Sequence, residues 1–522
     1  MPSKYVCGCA VVAVTLLAAG GAVVTADEPV RTTATGIVFE DLNGDGKHDA
    51  NEPGIPGIAV SNQADVVVTN AQGRYVLPVT DDTIIFVTKP SGYAVPLDKD
   101  NIPRFYYIHK PNGSPTVHHG GVAPTGPMPD SIDFPLVKQD EPRRFKVLAL
   151  GDIQPQTSQE VFYARDDVFN ELVGTDAVFG LTLGDNVSDH LWLYGYLNDF
   201  MGKIGIPFYR VIGNHDMNYD AEDDQSADET FHRLFGPNYY SWDYAQVHFV
   251  ALDTIVWQGR EKDRYLEELP PGQLAWLAND VKHVSKDKLI VLLMHAPLSS
   301  VRAKLIPGTE TVFEILKDRP RVLALAGHTH VQEHVFFKPE DGWKGEGRFH
   351  ELICVTVCGS WWSGPKDVWG IPVADQRDGV PNGYVIVEFD GADYTTTYKA
   401  AGLDRAHQMR IYPPGGVDTT EEGRRKLLVN VYDGSEKCQV VYSLDRAPFK
   451  PMDFKPQFDP LAVILLTGVV DSGKPWARPV PAPHMWETML PEPPTRGTHI
   501  VTIRVTDHYD RTYEQSKIFS FR

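Results

Sequence analysis

Five apolar segments in the middle of the chain each end in residues that commonly bind metal ions. In chain order, these residues are Asp152, Gln154, Asp185, Asn214, His215, His295, His328 and His330. Any one of them taken alone is explained equally well by a turn or a helix cap. Strands of an α/β sheet, however, bring the residues at their carboxyl ends to a shared crevice. Five such ends with nitrogen and oxygen ligands therefore indicate a metal centre.

The ligand types favour two transition-metal ions. Carboxylate, amide and imidazole groups without thiolate suit divalent or trivalent Mn, Fe or Zn better than Ca or Mg. Two ions about 3.5 to 4 Å apart share a bridging carboxylate, and Asp185 is the candidate. His328 and His330 alternate, so their rings can face different ions. His215 is free to donate a proton, and Asp216 is expected to orient His215 or the ligands.

The elements that position these residues form an α/β domain. Short apolar runs alternate with helical stretches over 141–410, which predicts a layered β-sandwich core flanked by helices. After Trp343 the runs become strand-like again, and we expect a second sheet of the same domain there. Short strands predict all-β sandwich modules at 27–140 and 411–522. The segment IYPPGGVDTTEEGRRK is expected to be a linker.

The strand-end sequences GDIQ, GDN, GNHD, MHAP and GHTH, in that order, resemble the five motifs of the calcineurin-like metallophosphoesterases. The flanking modules resemble those of an exported bacterial branch of this superfamily. The resemblance implies hydrolysis of a phosphomonoester or phosphodiester by a binuclear metal centre with metal-bound hydroxide as the nucleophile. It implies one ion on Asp152, Gln154, Asp185 and His330, and a second on Asp185, Asn214, His295 and His328. It also implies that His215 protonates the leaving oxygen.

Two positions depart from the usual pattern of this superfamily. Gln154 stands where most members have a histidine, and an amide oxygen binds metal more weakly than imidazole. Ser188 stands where purple acid phosphatases have a tyrosine, so a tyrosinate-bound ferric centre is not expected. Two other functions are compatible with the sequence: a non-catalytic surface-binding protein built on the β modules, and a hydrolase of a non-phosphate ester or amide.

A second pattern in the sequence, within the predicted N-terminal module, indicates a separate metal site. The segment DLNGDGKHDANE has the spacing of a twelve-residue calcium loop, with Gly46 at its sixth position. The ligands predicted by this spacing are Asp41, Asn43, Asp45, Lys47 through its carbonyl group, Asp49 and Glu52. A structural calcium ion would stabilise a small module that lacks disulfides. The alternative is an acidic hairpin that binds nothing.

Residues after the last motif are candidates for substrate contact. They are Trp361, Trp362, Lys366, Trp369 and Asn382, with Asp189, His190 and the acidic run 220–224 as further loop candidates. Aromatic rings beside the crevice would stack on a sugar, a base or an aromatic leaving group. Packing of the tryptophans in the core is equally compatible with the sequence.

The composition of the 522-residue chain limits its partners and its location. Lys plus Arg number 49 against 69 Asp plus Glu, a formal charge of −20, which argues against binding to nucleic acid or anionic lipid. Residues 1–26 have the pattern of a secretory signal peptide, which predicts export to the periplasm, cell surface or medium, with no membrane segment after cleavage. An uncleaved anchor is the alternative. Removal of the signal peptide would leave three cysteines, which are too few for a disulfide framework: Cys354, Cys358 and Cys438.

Overall fold

The computed structural model describes residues 32–300, 304–467 and 474–522. The predicted signal peptide lies outside these ranges. The described residues form three pairs of larger β-sheets in chain order, together with three two-stranded sheets, and helices accompany mainly the middle pair. Among the described residues, no helix combines the length and the apolar character needed to cross a membrane.

The first pair of sheets contains eight short strands. They are β1 (Thr32–Glu40), β2 (Ala59–Ser61), β3 (Val66–Val68), β4 (Arg74–Val79), β5 (Thr83–Val87), β6 (Tyr93–Ala94), β7 (Tyr106–His109) and β8 (Phe134–Lys138). One sheet has the order β4-β1-β8-β6 and the other β3-β2-β5-β7. The strands alternate between core and solvent: in β4, Leu77 is buried whereas its neighbour Val76 is exposed. This alternation is what a two-sheet sandwich requires.

The middle domain contains fifteen strands and seven α-helices. The strands are β9 (Arg144–Leu150), β10 (Phe179–Leu183), β11 (Phe208–Val211), β12 (Tyr240–Tyr244), β13 (Val247–Ala251), β14 (Ile255–Trp257), β15 (Tyr265–Glu267), β16 (Leu289–Leu293), β17 (Ser299–Ser300), β18 (Lys304–Leu305), β19 (Arg321–Ala326), β20 (Glu333–Phe336), β21 (Arg348–Ile353), β22 (Gly383–Asp390) and β23 (Asp393–Ala400). The helices are α1 (Ser158–Ala164), α2 (Asn170–Leu172), α3 (Tyr194–Gly202), α4 (Asp224–Ala227), α5 (Glu229–Phe235), α6 (Pro271–Val281) and α7 (Thr309–Leu316).

Eleven of these strands form the two main sheets of the middle domain, which have the orders β11-β10-β9-β22-β23 and β12-β13-β16-β19-β21-β20. The other four form two hairpins, β14-β15 and β17-β18. Strands β9, β10 and β11 run parallel to one another, as do β13, β16, β19 and β21. Every residue of β10 and β16 is buried, as expected for strands covered on both faces. The predicted α/β core with β-rich flanks is confirmed.

The strands after Trp343 do not form a separate sheet, and that expectation is wrong. β21 pairs in parallel with β19 in the six-stranded sheet, and β22 pairs antiparallel with β9 in the five-stranded sheet. The apolar pattern of a buried strand does not specify which strand it pairs with. In the folded chain, β19 and β9 each have a second edge whose backbone groups need partners, and β21 and β22 supply them.

The last module contains ten strands and one α-helix. They are β24 (Met409–Tyr412), β25 (Lys426–Val431), β26 (Gln439–Leu444), β27 (Lys450–Pro451), β28 (Asp453–Phe454), β29 (Gln457–Phe458), α8 (Pro460–Thr467), β30 (Pro481–Ala482), β31 (Met485–Met489), β32 (Gly497–Thr506) and β33 (Thr512–Phe521). Eight of the strands form its two main sheets, which have the orders β24-β25-β31-β28 and β27-β26-β32-β33, and β29 pairs with β30. β24, which crosses the boundary predicted at 410, pairs with β25, so the segment expected to be a linker starts within this sheet. The domain boundaries stay predictions.

The flanking modules contact the middle domain through buried polar groups. From the N-terminal module, the Lys89 ammonium donates to the backbone carbonyl of Asp243 at 2.7 Å, and Ser61 Oγ accepts a 3.0 Å hydrogen bond from the Trp276 indole. From the C-terminal module, Asn430 donates to the carbonyl of Asp378 at 3.0 Å. Because buried polar groups need partners, these contacts fix the modules on the middle domain.

Candidate metal centre

The predicted ligands meet at the carboxyl ends of two different sheets. The five-stranded sheet supplies Asp152 and Gln154 after β9, Asp185 after β10 and Asn214 after β11, and the six-stranded sheet supplies His295 after β16 and His328 and His330 after β19. One wall of the crevice therefore presents oxygen ligands and the facing wall presents imidazole nitrogens. The structure brings all seven side chains into one connected set of contacts, described below.

Asp185 lies between the two walls. Its Oδ1 lies 3.2 Å from His295 Nε2 and accepts a 2.8 Å hydrogen bond from the backbone N–H of His215. Its Oδ2 accepts a 3.0 Å hydrogen bond from the Gln154 side-chain amide. Burial raises the pKa of Asp185, but the charges of His295 and His215 lower it more, so the net pKa lies well below its usual range. The carboxylate is therefore ionised, as a bridging ligand must be.

His295 is the centre of the second predicted ligand set. Its Nδ1 donates a 2.8 Å hydrogen bond to the carbonyl oxygen of Leu183, so Nε2 is the nitrogen that faces the other ligands. A metal ion bound at Nε2 would replace the proton that the charged ring carries there. Nε2 lies 3.0 Å from Asn214 Oδ1 and 3.0 Å from His328 Nδ1. One ligand atom from each of Asp185, His295 and His328 falls within 4.8 Å of the others. These atoms fit a shared cation.

Asp152 and His330 are paired in the first predicted set. Asp152 Oδ1 accepts a 2.8 Å hydrogen bond from the backbone N–H of His328. Its Oδ2 is buried, has no hydrogen-bond partner and lies 3.3 Å from His330 Nε2. His330 Nδ1 lies 2.5 Å from the carbonyl oxygen of Gly359, so Nε2 faces Asp152. A buried carboxylate oxygen without a donor is costly, and a bound metal ion would satisfy it.

Gln154 is held by a residue from outside the predicted ligand set. Its side-chain oxygen accepts a 2.6 Å hydrogen bond from the indole N–H of Trp361, whose ring also lies 4.0 Å from the His330 ring, tilted by 31°. The Cys358 thiol is a second, weaker donor to the same oxygen at 3.6 Å, and an ion bound to this oxygen would take the place of the thiol contact. Trp361 therefore contacts two predicted ligands of the same ion.

The other substrate-contact candidates lie in different environments. Trp361 and Trp362 are buried in the core, whereas Trp369 is 83% exposed, and Lys366 is exposed as well. Asn382 is buried and donates to Asp167 at 2.6 Å. Of the three tryptophans, only Trp369 presents its ring to solvent.

The backbone at the crevice is strained. Four predicted ligands have positive φ angles: Gln154 at 43°, Asp185 at 46°, His328 at 72° and His330 at 54°. Each such conformation costs about 1–3 kcal/mol in a non-glycine residue and persists where the surroundings impose it. Gly184, directly before Asp185, has a φ of 81°, and a Cβ there would collide with the His295 ring. The strand ends thus adopt the backbone conformations that the placement of these side chains requires.

His215 lies at the mouth of the crevice and contacts Asp189. Its Nδ1 lies 2.6 Å from Asp189 Oδ1, and its side chain is 30% exposed. Burial lowers the pKa of His215, but the Asp185 charge and the hydrogen bond that the ring donates to Asp189 raise it more, to about 9. These contacts favour the protonated ring, which is the form that a proton donor requires.

Asp216 does not orient the His215 ring, and that part of the prediction is wrong. Its buried carboxylate accepts hydrogen bonds from the backbone N–H groups of Gly213, Asn186 and Val187, the Asn186 side chain and the Tyr194 hydroxyl, at 2.7–3.1 Å. Asp216 therefore connects the loops after β10 and β11, which carry Asp185 and Asn214. A positioning role for Asp216 stays a prediction.

Two contacts at the site had no specific signal in the sequence. Glu267, on β15, lies 3.1 Å from His328 Nε2, and nothing in its local sequence distinguishes it. Trp361 follows the last motif closely, but its sequence does not distinguish a ring that packs on a ligand from one that faces substrate. Asp189 had a weak signal, an acidic residue four positions after Asp185.

The predicted calcium loop forms a turn between β1 and β2. Asp41 accepts hydrogen bonds from the backbone N–H groups of Gly44 and Gly46 at 2.7 and 2.9 Å, and Glu52 accepts one from Asp49 at 2.9 Å. Gly46 has a φ of 74°, which the turn requires. In the part of the chain that the structure describes, the clusters with ligand atoms within 4.8 Å do not include these acids. Calcium binding by this loop stays a prediction.

Comparisons with known proteins cover most of the chain. A search of solved structures finds a likeness to PhoD, with 10% identity, a TM-score of 0.37 and coverage of 77% of this chain and 90% of that chain. It also finds a purple acid phosphatase from yellow lupin (Lupinus luteus) seeds, with 11% identity, a TM-score of 0.36 and coverage of 71% and 67%. No curated protein matches the chain.

Three family models match in chain order. The model for the N terminal of calcineurin-like phosphoesterase matches 42–120, the model for calcineurin-like phosphoesterase itself matches 145–332, and the model for its C terminal matches 351–513. The central match contains all seven predicted ligands, and the third begins within β21 of the middle domain. The chain belongs to the calcineurin-like phosphoesterases with N- and C-terminal modules, and it is a metal-dependent phosphoester hydrolase.

Proposed function

We propose that this enzyme hydrolyses phosphomonoesters or phosphodiesters with two metal ions that share Asp185. The observation that supports this most directly is the placement of the Asp185 carboxylate. One of its oxygens faces His295 of the second predicted ligand set, and the other faces Gln154 of the first. A single carboxylate directed at both sets is the arrangement that a pair of ions requires.

The donor set fits Mn, Fe or Zn. Asp152, Gln154 and His330 would hold one ion with Asp185, and Asn214, His295 and His328 would hold the other with it. Bound transition-metal ions supply Lewis acidity for phosphoryl transfer, because they activate water and neutralise charge on the phosphoryl oxygens. The buried Asp152 oxygen that receives no hydrogen bond supports this assignment.

His215 is the proposed proton donor to the leaving oxygen. Its Nδ1 is bound by Asp189, so its Nε2–H is the group left to face a substrate. Asp189 stabilises the protonated ring and fixes its orientation, as a carboxylate that is hydrogen-bonded to a catalytic histidine commonly does. In this proposal, the side chains contribute a positioned proton for the leaving oxygen and a crevice that holds the metal ligands in place.

The experiment that tests the function measures turnover of an aryl phosphate and of the corresponding bis-aryl diester by the full chain. Both are measured before and after treatment with a chelator, and again after each candidate metal is restored. We expect chelation to abolish hydrolysis and Mn, Fe or Zn to restore it. Hydrolysis that survives complete metal removal would contradict the proposal. The ratio of the two rates identifies the preferred ester class.

We also propose that the protein is exported and that the loop at 41–52 binds a structural calcium ion. The first proposal rests on the pattern of residues 1–26, an apolar run followed by a small-residue cleavage site after Ala26. Mass measurement of the mature protein tests it, since cleavage there leaves Asp27 as the first residue. The calcium proposal rests on loop spacing and is tested as described in the Discussion.

A further inference from the structure

A second group of histidines lies where the middle domain contacts the C-terminal module. His334 lies on β20, His350 lies on the neighbouring β21, and His508 lies in the turn between β32 and β33. One ring nitrogen from each falls within 4.8 Å of the others. This histidine triad shares no residue with the predicted catalytic ligands.

The proton positions on two of the rings follow from their outer partners. His334 Nε2 lies 2.8 Å from Asp433 Oδ1. A carboxylate only accepts, so Nε2 carries the proton and Nδ1 presents its lone pair. That Nδ1 lies 2.9 Å from His350 Nε2. The other nitrogen of His350, Nδ1, lies 2.9 Å from the Tyr394 hydroxyl oxygen, which can accept a hydrogen bond from Nδ1–H and so leave the lone pair on Nε2.

His508 has no hydrogen-bonded partner for either ring nitrogen among the described residues, and both nitrogens are buried. Its ring centre lies 4.6 Å from that of His334, and the two planes meet at 66°. Burial of the two ring nitrogens without hydrogen bonds destabilises the folded protein, because each polar atom loses its contacts with water and gains none in return. Coordination of a cation shared with the other two rings would satisfy one of them.

We propose that His334, His350 and His508 bind a zinc ion, or a divalent ion of similar ligand preference, that joins the middle domain to the C-terminal module. Three neutral imidazoles are a common zinc ligand set. Asp433 and Tyr394 act from outside it, each fixing one ring through its second nitrogen, as partners of metal-bound histidines usually do. His334 and His350 come from one domain and His508 from the other, so the site is complete only when the module is docked.

The test measures zinc bound to the full chain by elemental analysis after excess zinc is removed. His508→Ala is compared with wild type, and the same substitution is compared within an Asp185→Asn background, which weakens the catalytic centre. We expect His508→Ala to lower bound zinc by one equivalent in both backgrounds. His499→Ala is the matched control, because His499 lies in the same module but hydrogen-bonds to Asp445 outside the triad. We expect it to bind as much zinc as its parent.

Equal zinc content in His508→Ala and wild type would overturn the proposal. Circular dichroism and turnover of an aryl phosphate check that the variant is folded. If it does not fold, X-ray absorption at the zinc edge of the Asp185→Asn protein loaded with one equivalent decides the question. Three imidazole ligands support the triad site, whereas a shell dominated by oxygen overturns it.

Discussion

The indole N–H of Trp361 donates a 2.6 Å hydrogen bond to the side-chain oxygen of Gln154. The same ring packs on His330. Trp361 thus supports both an amide ligand, which binds metal weakly, and an imidazole ligand of the same proposed ion. A fixed orientation compensates for a weak ligand, since less freedom is lost when the ion binds.

We predict that Trp361→Phe weakens binding of the first ion by about 10- to 100-fold, the usual effect of losing a partner of a ligand. Phenylalanine keeps a ring beside His330 but cannot donate to Gln154. Equilibrium metal titration of the chelated protein measures the loss, and turnover at saturating metal should recover most of the wild-type rate. Trp369→Phe, at an exposed ring, is the control. Unchanged affinity in Trp361→Phe would mean that the hydrogen bond does not position Gln154.

Asp185→Asn should lower turnover by at least about 10³-fold, because the shared ligand loses its charge and both ions are weakened together. Bound metal should fall in parallel. Elemental analysis and turnover of an aryl phosphate measure the two effects. Near-normal turnover with full metal content would contradict the two-metal assignment.

His215→Ala should keep its metal content and lose turnover by about 10² to 10⁴-fold, the range for removal of a general acid. The loss should shrink for esters with good leaving groups, which depart without a proton. Rates for a series of aryl phosphates test this dependence. Asp189→Asn should give a smaller loss of the same kind, because it removes the group that holds the ring. A loss that is equal for good and poor leaving groups would instead assign His215 to phosphate binding.

A buried ion network on β13 predicts a pH dependence of stability. His248 lies 2.8 Å from both Asp243 and Asp280. Burial lowers the pKa of His248, but Asp280 and Asp243 raise it more, to about 9 from its usual 6.5. Because the folded pKa is the higher one, the protonated ring stabilises the fold fully below pH 6.5. That contribution is lost as pH rises towards 9.

The pKa difference at His248 corresponds to about 3 kcal/mol of unfolding free energy. We expect the denaturant midpoint of wild type to fall between pH 6 and 10 by more than that of His248→Gln, which lacks the titration. His283→Gln, at an exposed histidine, should follow wild type. Parallel curves for His248→Gln and wild type would exclude a stabilising charge at this site.

Calcium at millimolar concentration should raise the melting temperature of the full chain, because millimolar dissociation constants are typical of extracellular calcium loops. Asp45→Ala combined with Glu52→Ala should remove the increase and leave transition-metal content unchanged. Differential scanning calorimetry with and without calcium measures the shift. An identical melting curve in both conditions would make the loop an acidic turn only.

The ligands could be predicted from the sequence because each follows an apolar run that is visible without any tertiary information. The division of the strands between two sheets could not be predicted, since a mostly buried strand such as β9 or β21 has no feature in its sequence that identifies its partner. The partner of His215 was missed for a related reason. Asp189 reaches it through a backbone with a φ of 59°, a conformation that the residue type alone does not specify.

The contacts that cross domains were also beyond the sequence. His508 lies far along the chain from His334 and His350, in a different module, and a single sequence contains no information that links them. Trp361 was compatible with either core packing or substrate contact, and only the packed structure distinguishes the two. Sequence therefore predicted the residues that follow a local rule and missed those whose role depends on a distant neighbour.

The division of the crevice into an oxygen wall and a nitrogen wall affects the order of events during biosynthesis. The oxygen ligands lie within 145–214 and the imidazoles within 289–330, so neither half of the domain holds a complete set. During synthesis, no complete set of the proposed ligands can form until both sheets have been made and have packed against each other. Binding of the proposed ions would therefore favour the packed form of the middle domain over its separate halves.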